Sequence, residues 1–141
     1  MAEWSEISLY TISEDGNDLA DYEPVLAESA ASVDHDLVKG RIEDDLLNRL
    51  KHLQQRGEDY YGEDFYLLDH IENPETLKRP ACYYALYLMF RGKIISEMDE
   101  YARRSIEYEK LYSLALDAAA RRLRWDIGLI KRRSGRIKLR R

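Results

Sequence analysis

A mainly α-helical fold is what this sequence predicts: a small helical bundle with one long protruding helix, an extended N-terminal arm and a C-terminal basic extension or β-hairpin. Three observations predict it. The chain has 141 residues, the length of one folded core and too short for two independent ones. Apolar residues recur at steps of three and four over two long stretches, the signature of helices with one buried face. Between them, Ala81 to Phe90 carries no charged residue at all, as expected of a helix buried on every side.

Taken in order, residues 1–36 mix short apolar groups (Ile7, Leu9, Tyr10, Ile12) with turn formers at Glu14-Asp15-Gly16-Asn17-Asp18, and no helical period is sustained. They read as an acidic arm, extended or with one short strand. Leu37, Val38, Ile42, Leu46, Leu47, Leu50 and Leu53 then form one face of an amphipathic helix, capped by Asp34 or Asp36 and stopped near Gly57. Gly40 weakens its first turns by about 1 kcal/mol relative to alanine. The aromatic knot of Tyr60, Tyr61, Phe65 and Tyr66, with Leu67, Leu68 and Ile71 behind it, predicts a packed loop or short helix.

A second helix is expected from Thr76 to Arg91, either kinked at Pro80 or beginning there. The third and longest runs from about Ser96 to Trp125 on a stripe of Met98, Tyr101, Tyr108, Leu111, Tyr112, Ala115, Ala119 and Leu123. It would span roughly 45 Å, more than a domain with a radius of gyration near about 15 Å accommodates. It should therefore protrude or lie along a neighbouring subunit. Ile127 to Ile130 and Ile137 to Leu139 flank Ser134-Gly135, which suits a hairpin. The division predicted is an arm over 1–36, a helical core over 37–126 and a basic extension over 127–141. Leu46, Leu50, Leu53, Leu86, Phe90, Leu111 and Ala115 share a helical phase and are the expected core.

Several chemistries lack their residues. His35, His52 and His70 fall in separate segments with no spaced partner, so no metal site is expected. G-x-S-x-G and the two glycine-rich phosphate motifs do not occur. Neighbouring acids such as Asp44-Asp45 and Asp15/Asp18 are what a chain with 27 acidic residues produces by chance. No catalytic residue, enzyme activity or cofactor is predicted. The lone Cys82, set among apolar residues, reads as a small buried hydrophobe. The uncharged run 81–90 is half a membrane span, and the first residues lack the basic and apolar regions of a secretory leader, so no membrane association is expected.

Charge is strongly segregated along the chain. The total is −5, yet residues 1–36 carry ten acids and no base, whereas residues 121–141 carry ten bases and only Asp126. Such polarity predicts an interaction surface, for a polyanion or for oppositely charged neighbours in an assembly. The basic end comprises Arg121, Arg122, Arg124, Lys131, Arg132, Arg133, Arg136, Lys138, Arg140 and Arg141, interleaved with Ile127, Ile130, Ile137 and Leu139. Alternating apolar residues argue for an ordered ribbon that adds to a partner. Eleven tyrosines against two phenylalanines tilt the reading further towards interfaces, with Tyr83, Tyr87, Tyr101, Tyr108 and Tyr112 the candidates for a subunit contact.

The runs NPETLKRPACYYALY (Asn73 to Tyr87), EYEKLYSLAL (Glu107 to Leu116) and RRLRWD (Arg121 to Asp126) together resemble the head-tail connector proteins, also called adaptor or head-completion proteins, of tailed bacteriophages. In those proteins a helix with a Tyr-Ala-Leu-Tyr core leads to a second helix marked Tyr-x-x-x-Tyr, here Tyr108 and Tyr112, and then to an Asp-containing turn, here at Asp126. The resemblance covers residues 37–141 in arrangement. Residues 1–36 lie outside it, and Pro80 stands where such proteins more often carry alanine.

The resemblance implies a structural virion protein, assembled in the host cytoplasm. It would form a homo-oligomeric ring, a dodecamer, beneath the portal protein, extend the DNA channel and dock the next tail or stopper protein. DNA would pass through the lumen without specific binding. The C-terminal segment would reach the portal, which assigns portal contact to Ile127, Ile130, Lys131, Arg132, Arg133, Arg136, Ile137, Lys138, Leu139, Arg140 and Arg141. The alternative is a helical nucleic-acid-binding or regulatory module whose basic tail contacts phosphate. The acidic first segment opposes general nucleic-acid binding and suits a lumen along which DNA slides.

Overall fold

A computed structural model describes residues 3–12, 17–23, 33–93 and 99–127. The fold is a small all-α bundle of four helices in chain order, α1 (His35–Arg49), α2 (Lys51–Tyr61), α3 (Lys78–Arg91) and α4 (Glu100–Arg122), with single-turn 3-10 helices between and before them. No strand occurs among the described residues, where only two isolated bridges pair backbone in extended form.

Local chemistry accounts for each boundary. Asp34 caps α1, its carboxylate accepting from the amides of Asp36 and Leu37 at 3.1 Å. The predicted single helix through Gly57 is instead two. At Leu50 the backbone leaves the helical region (φ −115°, ψ 27°) and α2 restarts one residue later. Gly57 is not the stop but a buried residue inside α2. The stop is Gly62, whose φ of 111° only glycine adopts without strain. Nor does α3 begin at Pro80 or kink there. A 3-10 turn, Pro74–Leu77, runs directly into Lys78, so Pro80 falls at the third helical position, where no intrahelical partner awaits its missing N–H.

α3 is the centre of the molecule. Ala81, Cys82, Ala85 and Leu86 are completely buried, and Tyr84, Met89 and Phe90 nearly so, which matches its uncharged sequence. α4 folds back antiparallel along it: Phe90 lies against Tyr101 and Tyr108, Tyr84 against Tyr112. Its buried face is Ala102, Ser105, Tyr108, Tyr112, Leu116 and Ala119. With 23 residues α4 is about 35 Å long, and Asp99 caps it by accepting from the Ala102 amide at 2.8 Å. Most of its length is therefore covered by its own chain, and the long protruding helix expected from the sequence is shorter. Met98 lies outside the described residues.

α1 closes the bundle with Val38, Ile42 and Leu46 fully buried. Of the other expected core residues, Leu86 and Phe90 are buried, Leu50, Leu53 and Ala115 are partly so, and Leu111 is exposed.

The described parts of the acidic segment are not extended away from the core but laid against it. Trp4, Leu9 and Leu19 are buried as single anchors. The Trp4 amide donates to Asp69 at 2.7 Å, Lys39 Nζ lies 5.2 Å from the Trp4 ring and donates to the Ile7 carbonyl, and the Tyr10 hydroxyl meets His35. Three separate turns of chain are held by one large side chain each, which is why no helical or strand period appears in this region.

Candidate functional site

One open face lies beside α4. Leu111, Leu114, Ala118 and Arg122 follow one another at steps of three and four and so share a second face of this helix, next to the buried one. Leu114 is 67% exposed and Leu111 41%. Together with Ala115 they meet Pro80 and Tyr83 of α3 and Tyr22 from the N-terminal segment, leaving a groove of about 940 Å³. Its lining mixes apolar and aromatic side chains with charged ones. Lys78, Arg79, Arg122 and Arg124 line it together with Asp21 and Glu75, and Lys78 and Arg124 are paired with Asp18 and Glu72 of the same chain.

The groove's walls are held from several directions. Tyr22 packs edge-to-face on Tyr83, with ring centroids 5.2 Å apart, and burial raises its hydroxyl pKa. Lys78 pairs with Asp18 at 3.0 Å, and the Thr11 amide donates to the same carboxyl at 2.7 Å. Burial pushes the Asp18 carboxyl up, but those two partners outweigh it and hold it below the usual carboxylate range, while the same pair holds Lys78 above its own.

At the lower end Asn73 fixes the end of α4. This almost fully buried side chain donates to the Arg122 carbonyl at 3.0 Å and accepts from the Arg124 amide at 2.7 Å. It thereby satisfies backbone groups that a helix end leaves open. The chain then runs antiparallel to residues 70–73. The Glu72 amide donates to the Arg124 carbonyl at 2.8 Å and the Asp126 amide to the His70 carbonyl at 3.0 Å, with Ile71 and Trp125 facing each other as a bridge. His70 Nδ1 and the Asp126 carboxylate close the pair at 3.0 Å.

Against this geometry the residues predicted for interaction divide. Tyr108 and Tyr112 are not surface contacts. Their rings are buried against α3, and their hydroxyls donate to Glu23 at 2.9 Å and Asp45 at 2.5 Å, contacts within one chain. Tyr83 and Tyr87 are half-buried, Tyr83 in the groove wall and Tyr87 beside Arg91, which donates to its hydroxyl at 2.8 Å. Tyr101 is exposed. Of the residues assigned to portal contact, Ile127 is buried in the protein's own core, because the clasp with residues 70–73 turns it inward. Ile130, Lys131, Arg132, Arg133, Arg136, Ile137, Lys138, Leu139, Arg140 and Arg141 lie outside the described residues, as does the predicted hairpin turn.

The sequence reading missed Leu114 and Tyr22 as residues of this open face. A signal for the first was present: Leu111 and Leu114 fall off the phase set by Tyr108, Tyr112, Leu116 and Ala119. Among the described residues no group of three His, Cys, Asp or Glu side chains is placed to hold a metal ion, and none of the described helices is long and apolar enough to cross a membrane. Cys82 is buried beneath α3's neighbours, and burial pushes its thiol up to about 12. Comparison with known protein families, with curated proteins and with solved structures found no match.

Proposed function

We propose that this protein is an assembly subunit, a head-tail adaptor that forms a ring beneath a phage portal, extends the DNA channel and docks the next tail component. The observation that carries this reading is the open face of α4 beside α3: the exposed side chains of Leu111 and Leu114 next to a complete core are the kind of surface that proteins use for other proteins. The connector resemblance runs through the same two helices and supplies the particular assembly. Segregated charge supports it further, since ten bases in residues 121–141 give an acidic partner surface a target.

The burial of Ile127 sharpens the test. A chain ending at Ile127 retains every described core contact, whereas one ending at Asp126 removes a buried side chain and should melt earlier. Full-length protein and the chain ending at Ile127 would each be mixed with portal rings from the same source and viewed by negative-stain microscopy. The full-length protein is expected to add a ring of density to the portal, and the shortened one to remain folded by dichroism without adding it. Salt should weaken docking only in part, because screening acts on the charges and not on the apolar anchors. Docking by the shortened protein would move the portal contact off the tail. Absence of docking by the intact protein, with tight duplex binding whose salt dependence corresponds to several phosphates, would replace the adaptor reading with the nucleic-acid one.

A further inference from the structure

We propose that the Tyr60–Tyr61 corner at the end of α2 holds the chain's own basic C-terminal segment, residues 128–141, in the free protein. The inference stands apart from the adaptor reading and concerns where the tail rests before it meets any partner.

The corner joins open aromatic rings to acids that lack a cation. Tyr60 and Tyr61 are 61% and 47% exposed, although Tyr61 is held in place by stacking on the buried Phe65 at 5.5 Å. Beside them Asp59, Glu63 and Asp64 are exposed and Glu58 is half-buried, and Arg56 is the base that precedes them. Glu58 and Asp59 accept from the neutral side-chain amides of Gln54 and Gln55 at 2.9 Å and 3.0 Å. Among the described residues none of the four acids is in an ion pair, whereas Asp18, Glu23, Asp45, Glu72 and Asp117 are already taken by Lys78, Arg104, Arg41, Arg124 and Arg49.

The described chain ends beside this corner. Asp126 meets His70 at 3.0 Å, His70 stacks on Phe65 at 5.1 Å and Phe65 on Tyr61 at 5.5 Å, so two ring contacts separate the clasp from Tyr61. Beyond Ile127 follow 14 residues with seven bases, no acid, and Leu129, Ile130, Ile137 and Leu139. Fully extended they reach at most about 50 Å, well past the corner. Lysine and arginine pair with carboxylates and lie over tyrosine faces, and the aliphatic side chains suit the open rings. Single surface pairs are weak, but a group tethered this close competes at an effective concentration of about millimolar. An acidic partner therefore takes the tail only by outcompeting the corner.

The test places a photoreactive aromatic at the corner, Tyr61→p-benzoylphenylalanine, in unlabelled full-length protein mixed with isotopically labelled wild-type chains. Irradiation at low salt, cleavage after acidic residues and mass spectrometry should join residue 61 to an unlabelled peptide within residues 127–141, that is, to the tail of the same chain. Glu63→Lys with Asp64→Lys should lower the yield several-fold, as should salt at about 1 M, where the screening length is about 3 Å. Glu107→Lys with Glu109→Lys, at exposed acids of α4, should leave it unchanged. The same probe at Ile106, exposed on α4, should give no tail adduct. A labelled tail peptide, attachment to another region, a yield indifferent to the corner's acids, or no adduct would each overturn the proposal. The portal test is decided separately: a tail that docks on the portal and never joins the corner leaves the adaptor reading in place and removes this inference alone.

Discussion

The Tyr108 hydroxyl donates to the Glu23 carboxylate at 2.9 Å across 85 residues of chain, and the same oxygen accepts from Arg104 at 2.5 Å. One acid of the N-terminal segment is thus tied to α4 twice. Tyr108→Phe, which keeps the ring against Phe90, should cost about 1.5–3 kcal/mol for a lost bond to a charged acceptor. Glu23→Ala should cost more, because it leaves both donors without their partner. Urea denaturation of the two variants checks the order.

Leucines of similar appearance in the sequence should behave differently. Leu86 is completely buried on α3, and Leu86→Ala should cost about 2–5 kcal/mol. Leu111 is 41% exposed, so Leu111→Ala should stay within about 0.5 kcal/mol, as surface changes do. Equal losses in thermal unfolding would show that Leu111 belongs to the core after all.

Two helical glycines make an opposite pair. A Cβ on Gly57 would meet the Phe65 ring at 2.0 Å, whereas one on Gly40 meets nothing within 4 Å. Gly40→Ala should stabilise the protein by about 0.5–1 kcal/mol through helix propensity. Gly57→Ala should destabilise it despite the same gain, since overpacking costs about 1–3 kcal/mol. Melting temperatures moving in the same direction would contradict this.

Alkaline pH should unfold the protein cooperatively. Burial raises the hydroxyl pKa values of Tyr10, Tyr66 and Tyr112 well above the usual value of 10.0, with the Glu43 and Asp45 carboxylates adding to it for the last two. Tyr108 is pushed up to about 12 by burial and by Glu23. A raised tyrosine pKa favours the neutral form in the folded state. Its stabilising contribution is full below pH 10 and is lost as pH climbs from there through the folded-state values. Tyrosinate absorbance and helical dichroism should therefore change together at the end of an alkaline titration. Full ionisation with the helices intact would show these hydroxyls to be in contact with water.

Much of the bundle was legible because its elements declare themselves locally. Val38, Ile42 and Leu46 repeat at four-residue steps, Asp34 precedes them, and the uncharged run of α3 could only be central. What escaped detection depends on distant partners. Leu111 and Tyr112 are neighbours in sequence, yet only the position of α3 decides which one is covered. Tyr108 and Tyr112 looked like interface residues because their acidic acceptors, Glu23 and Asp45, lie far away in sequence. Trp4, Leu9 and Leu19 bury one residue at a time and leave no period. Asn73 caps a helix that begins 27 residues after it, a relation that no local motif encodes. As for the candidate site, its lining residues are dispersed over the N-terminal segment, α3 and α4 and come together only when these fold against one another.

The clasp between residues 70–73 and 124–126 also decides how force travels. Tension applied to the chain beyond Ile127 meets the backbone pairs of Glu72 with Arg124 and of Asp126 with His70, and the Asn73 side chain, before it reaches the last turn of α4. Several bonds resist together, braced by Ile71 and Trp125, both buried. A helix end by itself would unwind residue by residue under the same pull. The strain instead passes into the turn ahead of α3 and so to the middle of the molecule. The tail's anchor is a clamp set in the core, and a load on it is shared by the whole bundle.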